Sequence, residues 1–183
     1  MHQANQMTQN TITALSRLTL KSFKTVKWMS EETICFTATV VLDGKVIGTA
    51  SNEGHGGCTF IRYISDIAEQ DALAFAKSID PLTVKGWEFR ADKGFSFDDL
   101  IDIAVERRDA ADHAKKQLAS IRRRAVKECW IINADMKKGE FKSFKKAIAS
   151  GAAFAACAAK AYSMGYTVVS DLNDEAIAAH FVA

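Results

Sequence analysis

The first third of the chain alternates apolar and polar side chains with a period of two. In "TITALSRLTLKSFKTVKWM", residues 11–29, Leu18, Leu20, Phe23, Val26 and Trp28 are interleaved with Thr and Lys, which predicts one or two strands with one buried face. Thr33 to Val41, "TICFTATVV", is dense in β-branched and aromatic residues, and "VIGTAS" follows with the same character. The Asp43-Gly44 pair between them predicts a β-hairpin with a two-residue turn.

The period then lengthens. From Ser65 to Ile79 the apolar positions Ile67, Ala68, Ala72, Phe75, Ala76 and Ile79 recur at three- and four-residue intervals, which is the spacing of a helix. Ser65 or Asp66 supplies an N-cap, Glu69 completes a capping box, and Pro81, the only proline, forbids continuation. A short strand is expected at "GWEFRAD", residues 86–92. Phe97 to about Val126 then reads as the longest helix, capped by Ser96, with Asp98 and Asp99 in its first turn. Its apolar stripe comprises Leu100, Ile103, Ala104, Ala111, Ala114, Leu118, Ile121 and Ala125.

"ECWIINADMKKGEF" predicts a strand, a turn at Lys138-Gly139 and a short returning strand. A second long helix is expected over Phe144–Met164 with Gly165 at its C-cap, then a "YTVVSDL" strand and a final short helix from about Asp174. Hairpin signals at the start followed by helices give an α+β class: an antiparallel sheet with N-terminal hairpins, packed by two long helices and shorter ones. The polar opening, residues 1–10, reads as a flexible start ahead of a single domain over residues 11–183.

Composition changes this picture little. Hydrophobic residues make up 48% and charged residues 25%, values of an ordinary folding chain. A net charge of +2 excludes an acidic mimic of DNA and leaves any electrostatic argument to local clusters. The four cysteines, Cys35, Cys58, Cys129 and Cys157, have no CxxC or Cys/His spacing, which argues against a zinc site. With no signal-peptide pattern and no 18-residue apolar run, a reduced, cytoplasmic protein is expected, without cofactor or metal.

Three stretches carry candidate chemistry. In "NEGHGGC", Asn52 to Cys58, three glycines surround His55. One reading is an anion-binding nest with His55 as a donor or acid–base group and Glu53, Glu31 or Glu32 as carboxylate partner. The other is a glycine-rich connection with a structural histidine. The spacing is neither GxGxxG nor a Walker loop.

Between Arg107 and Lys127 there are eight Lys/Arg against two Asp. Arg108, Lys115 and Arg122 recur every seven residues on one helical face, with Lys116 and Arg123 alongside, a ridge suited to phosphates or to an acidic protein surface. A solvated helix face with cations near its C-terminus accounts for the same pattern. Finally, the alanine-rich run from Ala147 to Ala159 is nearly free of charge. It reads as a central core helix or, alternatively, as a self-association surface forming a homodimer.

The segment Ser30 to Gly57, with its Ser-Glu-Glu-Thr lead, Cys-Phe strand, Asp-Gly-Lys hairpin and Asn-x-Gly-x-Gly-Gly loop, resembles small accessory proteins of phages and plasmids. Some of these are counter-defence factors, including anti-CRISPR inhibitors. The resemblance covers about 28 of 183 residues and brings no catalytic residues with it. It implies an accessory protein of a mobile element and does not identify the target. Together with the basic ridge and the exposed glycine loop, it gives the leading expectation of a non-enzymatic protein that docks on a host nuclease or nucleoprotein complex, with Arg108, Lys115, Lys116, Arg122, Arg123, Glu53 and His55 as the binding residues. The alternatives are a direct nucleic-acid binder using the same helix, and a small hydrolase or nucleotide-binding protein centred on His55.

Overall fold

The computed structural model describes residues 15–80, 92–144 and 151–182. The protein is α+β, and it divides into two compact units between Asp109 and Ala110.

In the first unit, β1 (Leu18–Thr25), β2 (Phe36–Leu42), β3 (Lys45–Asn52) and β4 (Phe60–Tyr63) form an antiparallel sheet in the order β1-β2-β3-β4. The hairpin turn falls at Asp43-Gly44, as the sequence predicts. Leu42 pairs with Lys45, and the two turn residues have φ of 49° and 79°, the twist a two-residue turn needs. Arg17 donates Nε and Nη2 to the two Asp43 carboxylate oxygens, both at 2.7 Å, and lowers the pKa of that carboxyl.

Alternation sends Phe36, Ala38, Val40, Leu42 and Ala50 to one face. There they join α1 (Asp66–Lys77) through Ala68, Ala72, Phe75 and Ala76, and the first turns of α2 (Phe97–Glu128) through Phe97, Leu100, Ile101, Ile103 and Val105. Ser65 and Ser96 start the two helices as the sequence predicts, but with Ser65 as N-cap the third helical position is Ala68, and among the described residues Glu69 closes no capping box. Ser65 Oγ accepts from Ala68 N at 3.2 Å, and the Asp99 carboxylate reaches back to the N–H and hydroxyl of Ser96 at 2.9 and 2.6 Å.

Three apolar residues depart from expectation, one of them Ala111 of the α2 stripe, which is exposed. Trp28 lies in a 3-10 turn, Lys27–Met29, that ends the strand period, and is 83% exposed; Ile67, on the outer side of the first turn of α1, is 71% exposed. The strand expected over residues 86–92 falls outside the described residues, except at its last position.

In the second unit, the rest of α2 leads to β5 (Trp130–Ile132), which pairs antiparallel with both β6 (Lys142–Ser143) and β7 (Thr167–Val168). The helix stops because Cys129 takes φ of 43°, a left-handed cap that no glycine announces. The second alanine-rich element is α3, Gly151–Ser163; residues 145–150 of the expected helix lie outside the description. It closes as predicted at Gly165, with φ of 76° and the paired cap bonds Tyr166 N to Ala161 O and Gly165 N to Tyr162 O, both 3.0 Å.

The expected central core helix is buried along a single stripe, at Ala158 and Ala161, and Ala152, Ala155, Ala156 and Ala159 are exposed. Small side chains cover little area, so two alanines and half-buried Phe154 and Cys157 are enough to seat it on Cys129, Ile131 and Val168. The last helix, α4 (Asp174–Phe181), begins at Asn173, whose Oδ1 accepts from Ala176 N at 2.8 Å, and packs Ile177 with Ala125, Trp130 and Val169. Among the described residues, no helix is long and apolar enough to cross a membrane.

Candidate functional site

The glycine loop is built into the fold through its own hydrogen bonds. Gly54 O accepts from the N–H groups of Glu31, Glu32 and Thr33 at 3.0, 3.0 and 3.3 Å, which ties the Ser-Glu-Glu-Thr lead to the loop. Ser30 holds the other end: its hydroxyl donates to Val26 O at 3.0 Å and accepts from Cys35 N at 2.9 Å. The Ser-Glu-Glu-Thr lead and the glycine loop are therefore one clasp.

At its centre lies Asn52, 7% exposed. Its Oδ1 accepts from Gly54 N and from the Thr33 hydroxyl, both at 2.8 Å, and its Nδ2 donates to Gly57 O at 2.9 Å and to Thr59 Oγ1 at 3.4 Å. The chain of donors continues in a consistent sense. Gly56 N donates to Thr33 Oγ1 at 3.3 Å, and the Thr59 hydroxyl donates a hydrogen bond to Asp102 Oδ1 at 2.5 Å. The N–H groups of Gly54 and Gly56, which a phosphate nest would need, are thus turned onto Asn52 and Thr33.

His55 stands outside this network and is exposed. Of the three carboxylates considered from sequence, Glu31 is its partner: Oε2 lies 3.2 Å from Nδ1. The Glu32 carboxylate sits beside Gly56 instead, and Glu53 is exposed on the rim of a hollow of about 440 Å³ that His55, Cys58 and Phe60 also line. Among the described residues, no hydrogen bond joins the Cys58 thiol to His55.

A second hollow of the same unit, about 370 Å³, is lined by Glu31, Glu32, Asp102 and Glu106 among other residues. Burial raises the Asp102 pKa, with the Thr59 hydrogen bond opposing it and neighbouring Asp98, Asp99 and Glu106 adding to it. Sequence reasoning missed this cleft, since its acids come from positions 31–32 and 102–106. Among the described residues, no group of three or more His, Cys, Asp or Glu could hold a metal ion.

The basic helix is divided in its roles. Arg122 faces α4, where its guanidinium bonds the Asp174 carboxylate through Nε at 2.5 Å and Leu172 O through Nη2 at 3.2 Å; it is a tether within the second unit. Arg124 lies 4.9 Å over the Trp130 ring. Arg108 is exposed but is not free of partners within the protein.

Lys115, Lys116, Arg123 and Lys127 are exposed and take part in no ion pair among the described residues. At about 100° per residue, Lys116, Arg123 and Lys127 fall within about 40° of arc over ~17 Å of helix, an arc equal to that of the expected row through Arg108, Lys115 and Arg122. Between Lys115 and Lys127 the sequence contains no acidic residue. No protein-family model matches the chain, and no curated protein or solved structure matches it.

Proposed function

We propose that this chain is a non-enzymatic binding protein of a mobile genetic element, a counter-defence inhibitor that docks on a host nuclease or nucleoprotein complex through the cationic row of α2. The observation that carries this reading is the row itself: Lys116, Arg123 and Lys127 project together from an acid-free stretch of helix, and no carboxylate of the described protein neutralises them. Cations in the last turn of a helix complement its macrodipole, which accounts for Lys127 but reaches neither Lys116 nor Arg123. The N–H groups of Gly54 and Gly56 are engaged by Asn52 and Thr33, which weighs against an anion nest in that loop.

The same row favours a second reading, direct binding of nucleic acid phosphates. The two separate on purified components. A gel-shift with duplex DNA across a salt titration gives binding whose log–log slope is about −0.9 per phosphate contact if the row meets DNA. A partner retained after nuclease digestion, and lost when Lys116, Arg123 and Lys127 are changed to Glu, assigns the row to a protein surface.

A further inference from the structure

The face of the first-unit sheet that turns away from the core is not an ordinary solvated surface. Strand register places two complete rungs across it. One runs Lys21, Thr39, Thr49, Arg62; the other runs Lys24, Thr37, Ser51, Phe60. Residues directly opposite across an antiparallel ladder share a face, so these eight side chains lie side by side.

Neither rung contains a carboxylate. Hydroxyls occupy the middle of both, lysines mark the β1 edge, and an arginine and a phenylalanine mark the β4 edge. Lys21, Lys24, Thr37, Thr49, Phe60 and Arg62 are exposed, and Phe60 stands 64% exposed where a short polar side chain would serve a merely solvated strand. A hollow of about 440 Å³ runs over this face between Lys24 and Arg62.

We infer that this sheet face binds single-stranded nucleic acid, with Phe60 as a base-stacking platform and Lys21, Lys24 and Arg62 as phosphate contacts. The charge complementarity is one-sided, since three cations have no acid among them. The aromatic ring chooses among polyanions: a flat exposed ring at a sheet edge accepts the face of an unpaired base, whereas paired bases are stacked on one another and offer none. Threonine and serine hydroxyls donate to phosphate or sugar oxygens without reading sequence. Four strands at ~4.8 Å give a platform ~14 Å wide, the scale on which a four-stranded sheet takes about two or three unpaired bases. This surface is made of residues other than those of the α2 row, and it assigns a ligand class that the docking proposal does not require.

The test is fluorescence anisotropy of a labelled 20-mer oligothymidylate with the full-length protein, against the same titration with a 20-bp duplex. The wild type is expected to bind the single strand more tightly than the duplex, with affinity falling as salt rises. Phe60→Ala is expected to weaken it about tenfold or more, Phe60→Trp to retain it, and Arg62→Glu to weaken it and flatten the salt slope. Both positions are exposed, and unchanged circular dichroism checks that the three variants fold.

The inference is overturned if the wild type fails to bind oligothymidylate at 50 mM salt, if duplex or polyglutamate competes as well as the single strand, or if Phe60→Ala binds like wild type. It is equally overturned if only Lys116→Glu, Arg123→Glu and Lys127→Glu on α2 abolish binding. That result would leave the α2 proposal standing and remove this one.

Discussion

Replacing the three glycines of the loop one at a time by alanine should give three different outcomes. At Gly54, φ is +92° and an added Cβ would stand 2.0 Å from the backbone oxygen of Met29, which cannot swing aside. The left-handed conformation alone costs about 1–2 kcal/mol. Relieving the clash means moving the loop off the lead, at the expense of the three hydrogen bonds that Gly54 O accepts from Glu31, Glu32 and Thr33, roughly 1 kcal/mol each. The sum, about 4–5 kcal/mol, is a large share of the 5–15 kcal/mol that holds a typical domain.

At Gly56, φ is +84° and the Cβ meets Glu32 Oε2 at 2.2 Å, but that carboxylate is the free end of an exposed side chain and can rotate into water. The expected loss is about 1–2 kcal/mol. At Gly57 nothing lies within 4 Å and φ is not left-handed, so alanine should be neutral or should stabilise by about 0.4–1 kcal/mol through the unfolded chain. Urea unfolding monitored by hydrogen exchange of Phe36–Asn52 reports on this unit alone. A Gly54→Ala protein as stable as Gly57→Ala would refute the clasp.

Other substitutions test the same structure from different sides. Asn52→Ala removes three hydrogen bonds of 2.8–2.9 Å and strands the Gly54 N–H, so a loss of about 3 kcal/mol is expected in the same assay; less than 1 kcal/mol would mean the amide is not the centre of the network. Asp102 carries a raised pKa, so its folded state prefers the proton and stability falls as pH climbs from about 4 through the raised value. Asp102→Asn keeps an acceptor for Thr59 and should melt higher than wild type at pH 7 and equally at pH 3.5, and a lower melting temperature at pH 7 would contradict burial as the cause. Arg122→Ala should destabilise the second unit by up to about 1 kcal/mol, the scale of a half-exposed ion pair, while Lys115→Ala changes nothing measurable; equal effects in thermal melts would show that Arg122 is no tether.

Local signals in the sequence carry most of the architecture. The Asp43-Gly44 hairpin, the caps at Ser65, Ser96 and Gly165, and the class of every long element follow from spacing and turn chemistry within a few residues. What was not legible depends on partners far along the chain. The end of α2 at Cys129 has no glycine to mark it, and Trp28 looked like a strand residue because the alternation runs straight into the 3-10 turn that exposes it.

The candidate sites divide in the same way. Heptad spacing brought Arg108, Lys115 and Arg122 into one row, but periodicity is blind to what packs against it, and Asp174, 52 positions away, claims Arg122. The glycine loop suggested an anion nest because no local feature shows that Asn52 and Thr33 consume its N–H groups. The sheet face was half-legible. The alternating Thr, Ser and Lys of β1, β2 and β3 give its polarity, but only the register aligns Lys24, Thr37, Ser51 and Phe60.

The docking proposal is tested most directly by capture from nuclease-treated lysate of a host that carries such a defence nuclease, using immobilised wild-type protein and the Lys116→Glu, Arg123→Glu, Lys127→Glu variant side by side. The account predicts that the wild type retains the nuclease or its complex until salt is raised, and that the variant, folded as judged by circular dichroism, lets it pass. Equal retention by both, or retention by neither, would contradict it.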